Sequence, residues 1–264
     1  MISLTDTVLE SNKYLKINFN GGDLSSDAGL LLIKEFACKL GFINILKKVF
    51  KTNDRASFRY HKDDENLWQV IYQILGAYFE DDCADELTND PILTAILSKE
   101  ALTSQPTLSR FFNRMDESTL NQFYDLMRRF RKVVYSVRYP NMDSEPEKIV
   151  RFYCKRGTME NYIKESKNGF DFAAVSSSSK IVNANRLQIH ALAYNIFNWF
   201  KRLALSASMR KQQINTIRLK LLKISAKVVH SARYITFKLC SSCPYKDEFY
   251  ETLENIKGLQ PKLE

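Results

Sequence analysis

The stretch Tyr153-Cys154-Lys155-Arg156-Gly157-Thr158-Met159-Glu160-Asn161-Tyr162-Ile163-Lys164-Glu165-Ser166-Lys167 holds the residue types and spacing best suited to chemistry. Wound as a helix, it brings Arg156, Glu160, Lys164 and Lys167 into one stripe, a single acid set among bases. A carboxylate so placed suits a divalent metal beside a phosphodiester, with the acid on the metal and the bases on the strand. The same periodicity equally describes an exposed helix laced with i,i+4 ion pairs.

Other candidates are weaker. Glu80, Asp81, Asp82, Asp85 and Glu86 resemble a metal-binding run, but their flanks read as a solvated loop and helix start. Cys240 and Cys243 have the spacing of half a zinc site, with no second pair to complete four ligands. The five cysteines are expected as free thiols. Ser104-Gln105-Pro106-Thr107 caps a predicted helix from Thr107 to Met115 that exposes Arg110, Asn113 and Arg114. With the helix around Ile92 to Ser98 it forms either a helix-turn-helix, whose second member enters a major groove, or one more αα-hairpin. Further on, Ile214, Ile217, Leu221, Ile224 and Val228 step along one predicted helical face, while Lys220, Lys223 and Lys227 line another as a basic ridge.

The elements that must position these residues are mostly helical, since glycine and proline number only eight and six in 264 residues. An extended start, Tyr14 to Phe19, precedes a helix from Ala28 to Leu40 with Ser25, Ser26 or Asp27 as its cap and Gly41 as its stop. Asp64 to Phe79 reads as a helix with Trp68, Ile71, Ile74 and Leu75 inward. A long helix runs from Ser118 towards Arg138, carries Arg128, Arg129, Arg131 and Lys132, and ends at Tyr139-Pro140. Asn183 to Leu205 is apolar around most of its circumference, and Ala232 to Leu239 alternates as a single half-buried strand.

At 45% hydrophobic and 26% charged, the composition is that of a globular chain with a real core. Its net charge of +9 excludes an acidic protein. Residues 1–130 carry 15 basic and 19 acidic side chains, net −4, whereas residues 131–264 carry 24 and 11, net +13. A surplus of that kind favours a polyanionic partner. No apolar run is long enough to span a membrane and the first residues lack the pattern of a signal peptide, so a cytoplasmic location is expected.

The spacing Tyr153, Arg156, Glu160, Lys167 resembles the Tyr-x2-Arg-x3-Glu-x6-Lys signature of bacterial DDE insertion-sequence transposases. The surroundings closely resemble the insertion-sequence family numbered thirteen-eighty, over nearly the whole chain. The likeness covers Gly22-Asp23-Leu24-Ser25-Ser26-Asp27-Ala28-Gly29-Leu30-Leu31, Asp85-Glu86-Leu87 through Asp90-Pro91, and Ala101 to Phe111. It continues through Val150 to Lys167, Asn185-Arg186-Leu187-Gln188 to Leu203, and Thr216 to Leu221.

The resemblance implies a transposase whose RNase H-like core holds Mg²⁺ on two Asp and one Glu, and which cleaves and joins double-stranded DNA at terminal inverted repeats. Glu160 would be the Glu and metal ligand; Tyr153, Arg156 and Lys167 would be its companions near the scissile phosphate. The two Asp lie, in the family, on strands that precede the signature helix. Here Pro140 and Tyr153 are 13 positions apart. Strands of about five or six residues cannot build a multi-stranded sheet in that space.

The implied arrangement is mainly α. An N-terminal helical region spans residues 1–140, and the C-terminal remnant of the transposase core, 141–264, carries few short strands. The central part is missing, with a junction near Pro140-Asn141-Met142-Asp143. Asp143 is not the catalytic Asp on this reading, and no transposition is expected from the chain alone. Two functions remain: an inactive shortened transposase that still binds DNA in the bacterial nucleoid, or a helical protein that inhibits intact transposase through its ends or mixed oligomers. A nuclease recruiting Asp81, Asp82 or Asp143 is the third and least favoured. DNA contact is expected from Lys164, Arg110, Arg114, Lys220, Lys223 and Lys227. Without its sheet, the chain is expected to risk exposing the apolar faces of Asn183 to Leu205.

Overall fold

A computed structural model describes residues 7–9, 12–17, 22–54, 56, 58–138, 165, 167–172, 177–232 and 234–262. The fold is mainly α, as expected from the scarcity of helix breakers. A short antiparallel pair, β1 (Thr7–Leu9) and β2 (Asn12–Ile17), comes first. After β3 (Leu24–Ser25) the helices are α1 (Leu30–Lys39), α2 (Phe42–Val49), α3 (Asp63–Leu75), α4 (Cys83–Glu86), α5 (Pro91–Leu97), α6 (Gln105–Asn113) and α7 (Glu117–Arg138). Then follow α8 (Lys180–Leu203), α9 (Ala207–Arg210), α10 (Ile214–Ile217), a π-helical turn at Arg218–Leu222, β4 (Ala226–His230), β5 (Ile235–Leu239) and α11 (Lys246–Gly258).

Local chemistry explains the boundaries. Gly41 takes a left-handed φ of 67° and turns α1 into α2. The Asp90 carboxylate accepts the N–H groups of Ile92 and Leu93 at 3.0 and 2.8 Å, and Pro91 opens α5 where no N–H is needed. Asp116 caps α7 through the N–H groups of Ser118 and Thr119. Glu65 reaches back to the Lys62 N–H at 2.9 Å and closes the start of α3. Trp68, Ile71, Ile74 and Leu75 are buried on α3, but so is every other residue from Asn66 to Leu75, so the helix is enclosed all round rather than on one face; it stops at Gly76 rather than at Phe79.

The centre of the fold is α8, which packs on α3 and α7. Ile189, Leu192, Ile196, Phe197 and Phe200 are fully or almost fully buried. Apart from the exposed Leu187, the expected exposure of its apolar faces does not occur, because the N-terminal helices cover it. Phe36 of α1 meets Phe200 edge-on at 5.6 Å; Phe42 of α2 stacks on Phe130 of α7 at 3.9 Å and contacts Trp199 at 5.7 Å. Such aromatic pairs add about 0.5–1.5 kcal/mol each beyond the area they bury. Polar joints accompany them. The Thr119 hydroxyl donates to Asn185 Oδ1 at 2.7 Å, and the Asn185 amide donates to the Asp116 carbonyl at 3.1 Å.

Residues 223–230 depart most from expectation. The helix predicted through Val228 ends in the π-helical turn, and Ala226–His230 is a strand paired with both β3 and β5. Ile224, Ala226 and Val228 are buried alternately with exposed Ser225 and Lys227, a period of two that the helical spacing of Leu221, Ile224 and Val228 concealed. Accordingly, Ile235–Leu239 is one strand of a hairpin rather than a lone strand. The sheet order β3-β4-β5 stitches the start of the chain to its C-terminal part.

Candidate nucleic-acid interface

Tyr153, Arg156, Glu160, Lys164 and Asp143 lie outside the described residues. Of that signature Lys167 is described, exposed on the helical residues 167–170. Its neighbour Glu165 accepts from the Tyr194 hydroxyl at 3.5 Å and lies 3.7 Å from Lys201.

The remaining sequence candidates separate into different environments. Arg110 is exposed on α6 and donates to the Thr107 hydroxyl at 3.0 Å. Asn113 is exposed beside it. Arg114 instead turns inward: its guanidinium lies 3.1 Å from Asp63 and 3.5 Å from Asp54, and donates to Thr52 Oγ1 at 3.2 Å. Asp54 is held well below the ordinary carboxylate range, first by its hydrogen bond from Arg59 and then by the Ala56 N–H. Residues 98–104 join α5 to α6.

Lys220, Lys223 and Lys227 do not form a continuous ridge, because the π-helical turn and β4 replace the predicted helix. Lys220 lies over the Tyr245 ring at 5.1 Å. Lys223 reaches the buried Asp27 at 2.7 Å and the Tyr78 ring at 4.0 Å. Burial disfavours its ammonium, but hydrogen bonds with Asp27 and Tyr78 outweigh that and raise its pKa. Tyr78 also donates to Asp27 Oδ2 at 2.7 Å. Asp27, expected as a possible helix cap, is therefore the buried anion of a joint between the start of α1 and the C-terminal part. Lys227 is exposed on β4, directly opposite Lys238 of β5.

Two arginines that periodicity did not single out hold the same two parts together. Arg218 is buried and donates to the carbonyls of Leu75 at 2.9 Å, Ile74 at 3.0 Å and Gly169. It thereby closes the last turn of α3. Burial lowers its pKa to about 10. Arg186 of α8 pairs with Asp81 and covers the Phe112 ring at 4.1 Å.

Two members of the acidic run therefore have partners other than metal. Asp81 faces Arg186, and Asp85 accepts the Gln105 N–H at 2.8 Å at the start of α6. Among the described residues, no three His, Cys, Asp or Glu side chains converge as metal ligands.

A groove between α2 and α7 gathers cations that the sequence spread over more than 200 positions. Lys48 projects from α2, Arg129 and Lys132 from α7, and Lys262 from the segment after α11. Asn44 and Ser136 add polar groups, and the open volume is about 350 Å³. The Lys262 main-chain N–H donates to Ser136 Oγ at 3.0 Å and ties this segment to α7. Arg128, Arg129, Arg131 and Lys132 had stood out as a cluster in the sequence; their meeting with Lys48 and Lys262 carried no local signal.

The family model described as Transposase DDE domain group 1 matches the chain twice, over residues 8–142 and 129–261. The chain belongs to that family. No curated protein and no solved structure matches it. DDE transposases act on DNA and generally use Mg²⁺. The described part of this transposase chain offers no ligand set that fits the ion, and Glu160, the ligand implied by resemblance, lies outside it. No described helix is long and apolar enough to cross a membrane.

Proposed function

We propose that this chain is an internally shortened DDE transposase of the thirteen-eighty insertion-sequence family, which binds double-stranded DNA at the element's terminal repeats without cleaving or joining strands. The observation that carries the reading is the double family match. Its two segments overlap at residues 129–142, as expected where two ends of one domain have been brought together. The overlap reaches the join suggested by sequence, Pro140 to Asp143, and leaves only 13 positions before Tyr153 for the strands that bear the family's two Asp. A two-metal site needs carboxylates to clamp both the attacking and the leaving oxygen, and Glu160 alone supplies too few.

Retained DNA binding is supported by the net charge of +9 and by the assembled basic surface. In this reading residues 1–140 and 141–264 are the two surviving parts of the ancestral protein, and Tyr153, Arg156 and Lys167 are relics of the catalytic signature. The packing of α8 against α3 and α7 supports a shortened chain that still folds.

Duplexes carrying the terminal repeats should bind by fluorescence anisotropy, with log K falling steeply against log salt. Incubation with Mg²⁺ should yield no nicked or joined product. Nicking that disappears in Glu160→Ala would overturn the inactive reading, and binding without salt dependence would remove DNA as the partner.

A further inference from the structure

We propose that Cys240 and Cys243 form a reversible redox site, a dithiol that takes up oxidising equivalents from carboxylate-bearing low-molecular-weight disulfides received in the cavity beside it. Cys240-Ser241-Ser242-Cys243 lies between β5 and α11, and both cysteines are free thiols. The Cys243 N–H donates to the Cys240 carbonyl at 3.2 Å, so the four residues make a β-turn. Such a turn brings its end Cα atoms within about 7 Å, and a disulfide spans about 4.4–6.8 Å, so the pair can join with little backbone movement. The turn is anchored on the sheet, since the Cys240 N–H donates to the Ser225 carbonyl at 2.8 Å. Two thiols are half the ligands of a structural zinc, and among the described residues no third His, Cys, Asp or Glu joins them. A bond closing so short a loop restricts the unfolded chain little, which argues against a purely stapling role. Thiol–disulfide exchange is the chemistry left to the pair.

The two cysteines differ in the way exchange requires. Cys240 is exposed, whereas Cys243 is half-buried and packed against the core. The Ser242 hydroxyl lies 3.1 Å from Cys240 Sγ, and with the Ser242 and Cys243 main-chain N–H groups it holds this thiol below its ordinary pKa. Burial pushes the Cys83 thiol the other way. Cys240 is therefore the attacking sulfur and Cys243 the resolving one. After Cys240 gives its proton to solvent, its thiolate attacks one sulfur of the small disulfide; the new S–S bond forms as the old one breaks, and one small thiolate leaves. Cys243 then loses its proton, attacks Cys240 Sγ and expels the second small thiolate. Two protein thiols are oxidised to one disulfide, and one small disulfide is reduced to two thiols. The open cavity beside the turn has a volume of about 300 Å³, at the lower end of small-molecule sites. Phe237 and Phe249 give it an apolar wall, Lys238 and Lys246 line it, and its lining among the described residues includes no carboxylate. Two ammonium groups on an apolar wall fit a small peptide-like thiol that carries carboxylates.

The test incubates the reduced full chain with oxidised glutathione, quenches by alkylation and maps adducts by peptide mass spectrometry. Cys240 should carry the first adduct, formed about tenfold faster than on Cys38 or Cys83. A Cys240–Cys243 disulfide should follow, with loss of two hydrogen atoms, and dithiothreitol should restore both thiols. Cys243→Ser should trap the mixed disulfide at Cys240, and Cys240→Ser should lose the fast reaction. Lys246→Ala should slow the reaction with oxidised glutathione about threefold and leave that with uncharged hydroxyethyl disulfide unchanged. A fall in the thermal midpoint identifies a variant that folds poorly, in which case the order of adducts on the unmodified chain decides. Equal rates at Cys240, Cys38 and Cys83, or a glutathione adduct that stays on Cys240 without passing to Cys243, overturns the dithiol. The same response of both disulfides to Lys246→Ala overturns the cavity as the place where the small molecule sits. None of these readouts depends on DNA binding.

Discussion

Lysines in two regions of this molecule have opposite fates. Lys48, Lys132 and Lys262 converge on an open groove, whereas Lys220 and Lys223 fold back on Tyr245 and on the Asp27–Tyr78 joint. In the sequence, Lys220, Lys223 and Lys227 looked the better ridge, because they recur at helical spacing within eight residues. The groove lysines are scattered and belong partly to a segment of net negative charge. Where a lysine of this chain ends up thus depends on what its element packs beside, and that is set by contacts distant in sequence. The C-terminal joint buries its charge against Asp27, while the α2–α7 groove gathers basic side chains at the surface.

That contrast predicts that joint variants alter stability and leave the salt slope of DNA binding unchanged. The largest effect belongs to Gly29→Ala. A Cβ at Gly29 would stand 1.7 Å from the Leu221 carbonyl oxygen, so the start of α1 must separate from the π-helical turn. A loss of about 4 kcal/mol or more is expected from urea unfolding, typical of backbone overpacking. Next, Arg218→Met leaves the Ile74, Leu75 and Gly169 carbonyls without their buried donor and should lower stability by about 3 kcal/mol. Asp27→Asn removes the anion facing Lys223 and should lower it by about 2 kcal/mol. Either variant, if folded, would break the comparison by reducing the salt slope of DNA binding.

A smaller effect is expected from pH. His190 of α8 has its pKa lowered, mainly by burial, with Nδ1 2.6 Å from the Phe170 carbonyl oxygen. A histidine with a depressed folded pKa contributes stability that is fully present above its unfolded value, about 6.5, and is lost as pH falls towards the folded value. Chemical-denaturation midpoints should therefore decline below about pH 6.5, and His190→Asn should flatten that decline. Smallest of all, Lys220→Ala should change stability by no more than about 0.5 kcal/mol, since its contact with Tyr245 is partly solvated.

Much of the helical frame was legible in the sequence. The apolar α3, the Gly41 turn, the helix around Ile92 to Ser98 and the long α7 follow from local rules of period and capping. The hairpin of β4 and β5 was not, because Ile224 and Val228 fit a helical step as well as an alternating one, and only pairing with Leu24–Ser25 and Ile235–Leu239 decides between them. Asp27 likewise has the residue type and position of a helix cap, yet Lys223 and Tyr78 draw it into the interior. Neither partner lies within 50 positions of it.

Taken by itself, the sequence determined a mainly helical chain, its basic balance and a likeness to DDE transposases that the family match supports. Tertiary structure alone decided that the two parts share one core about α8, and that Lys48, Arg129, Lys132 and Lys262 face one groove. The physical reason is range. Periodicity, capping and composition act over a few residues and can be read along a chain, whereas burial and the meeting of charges depend on which distant faces the core brings together.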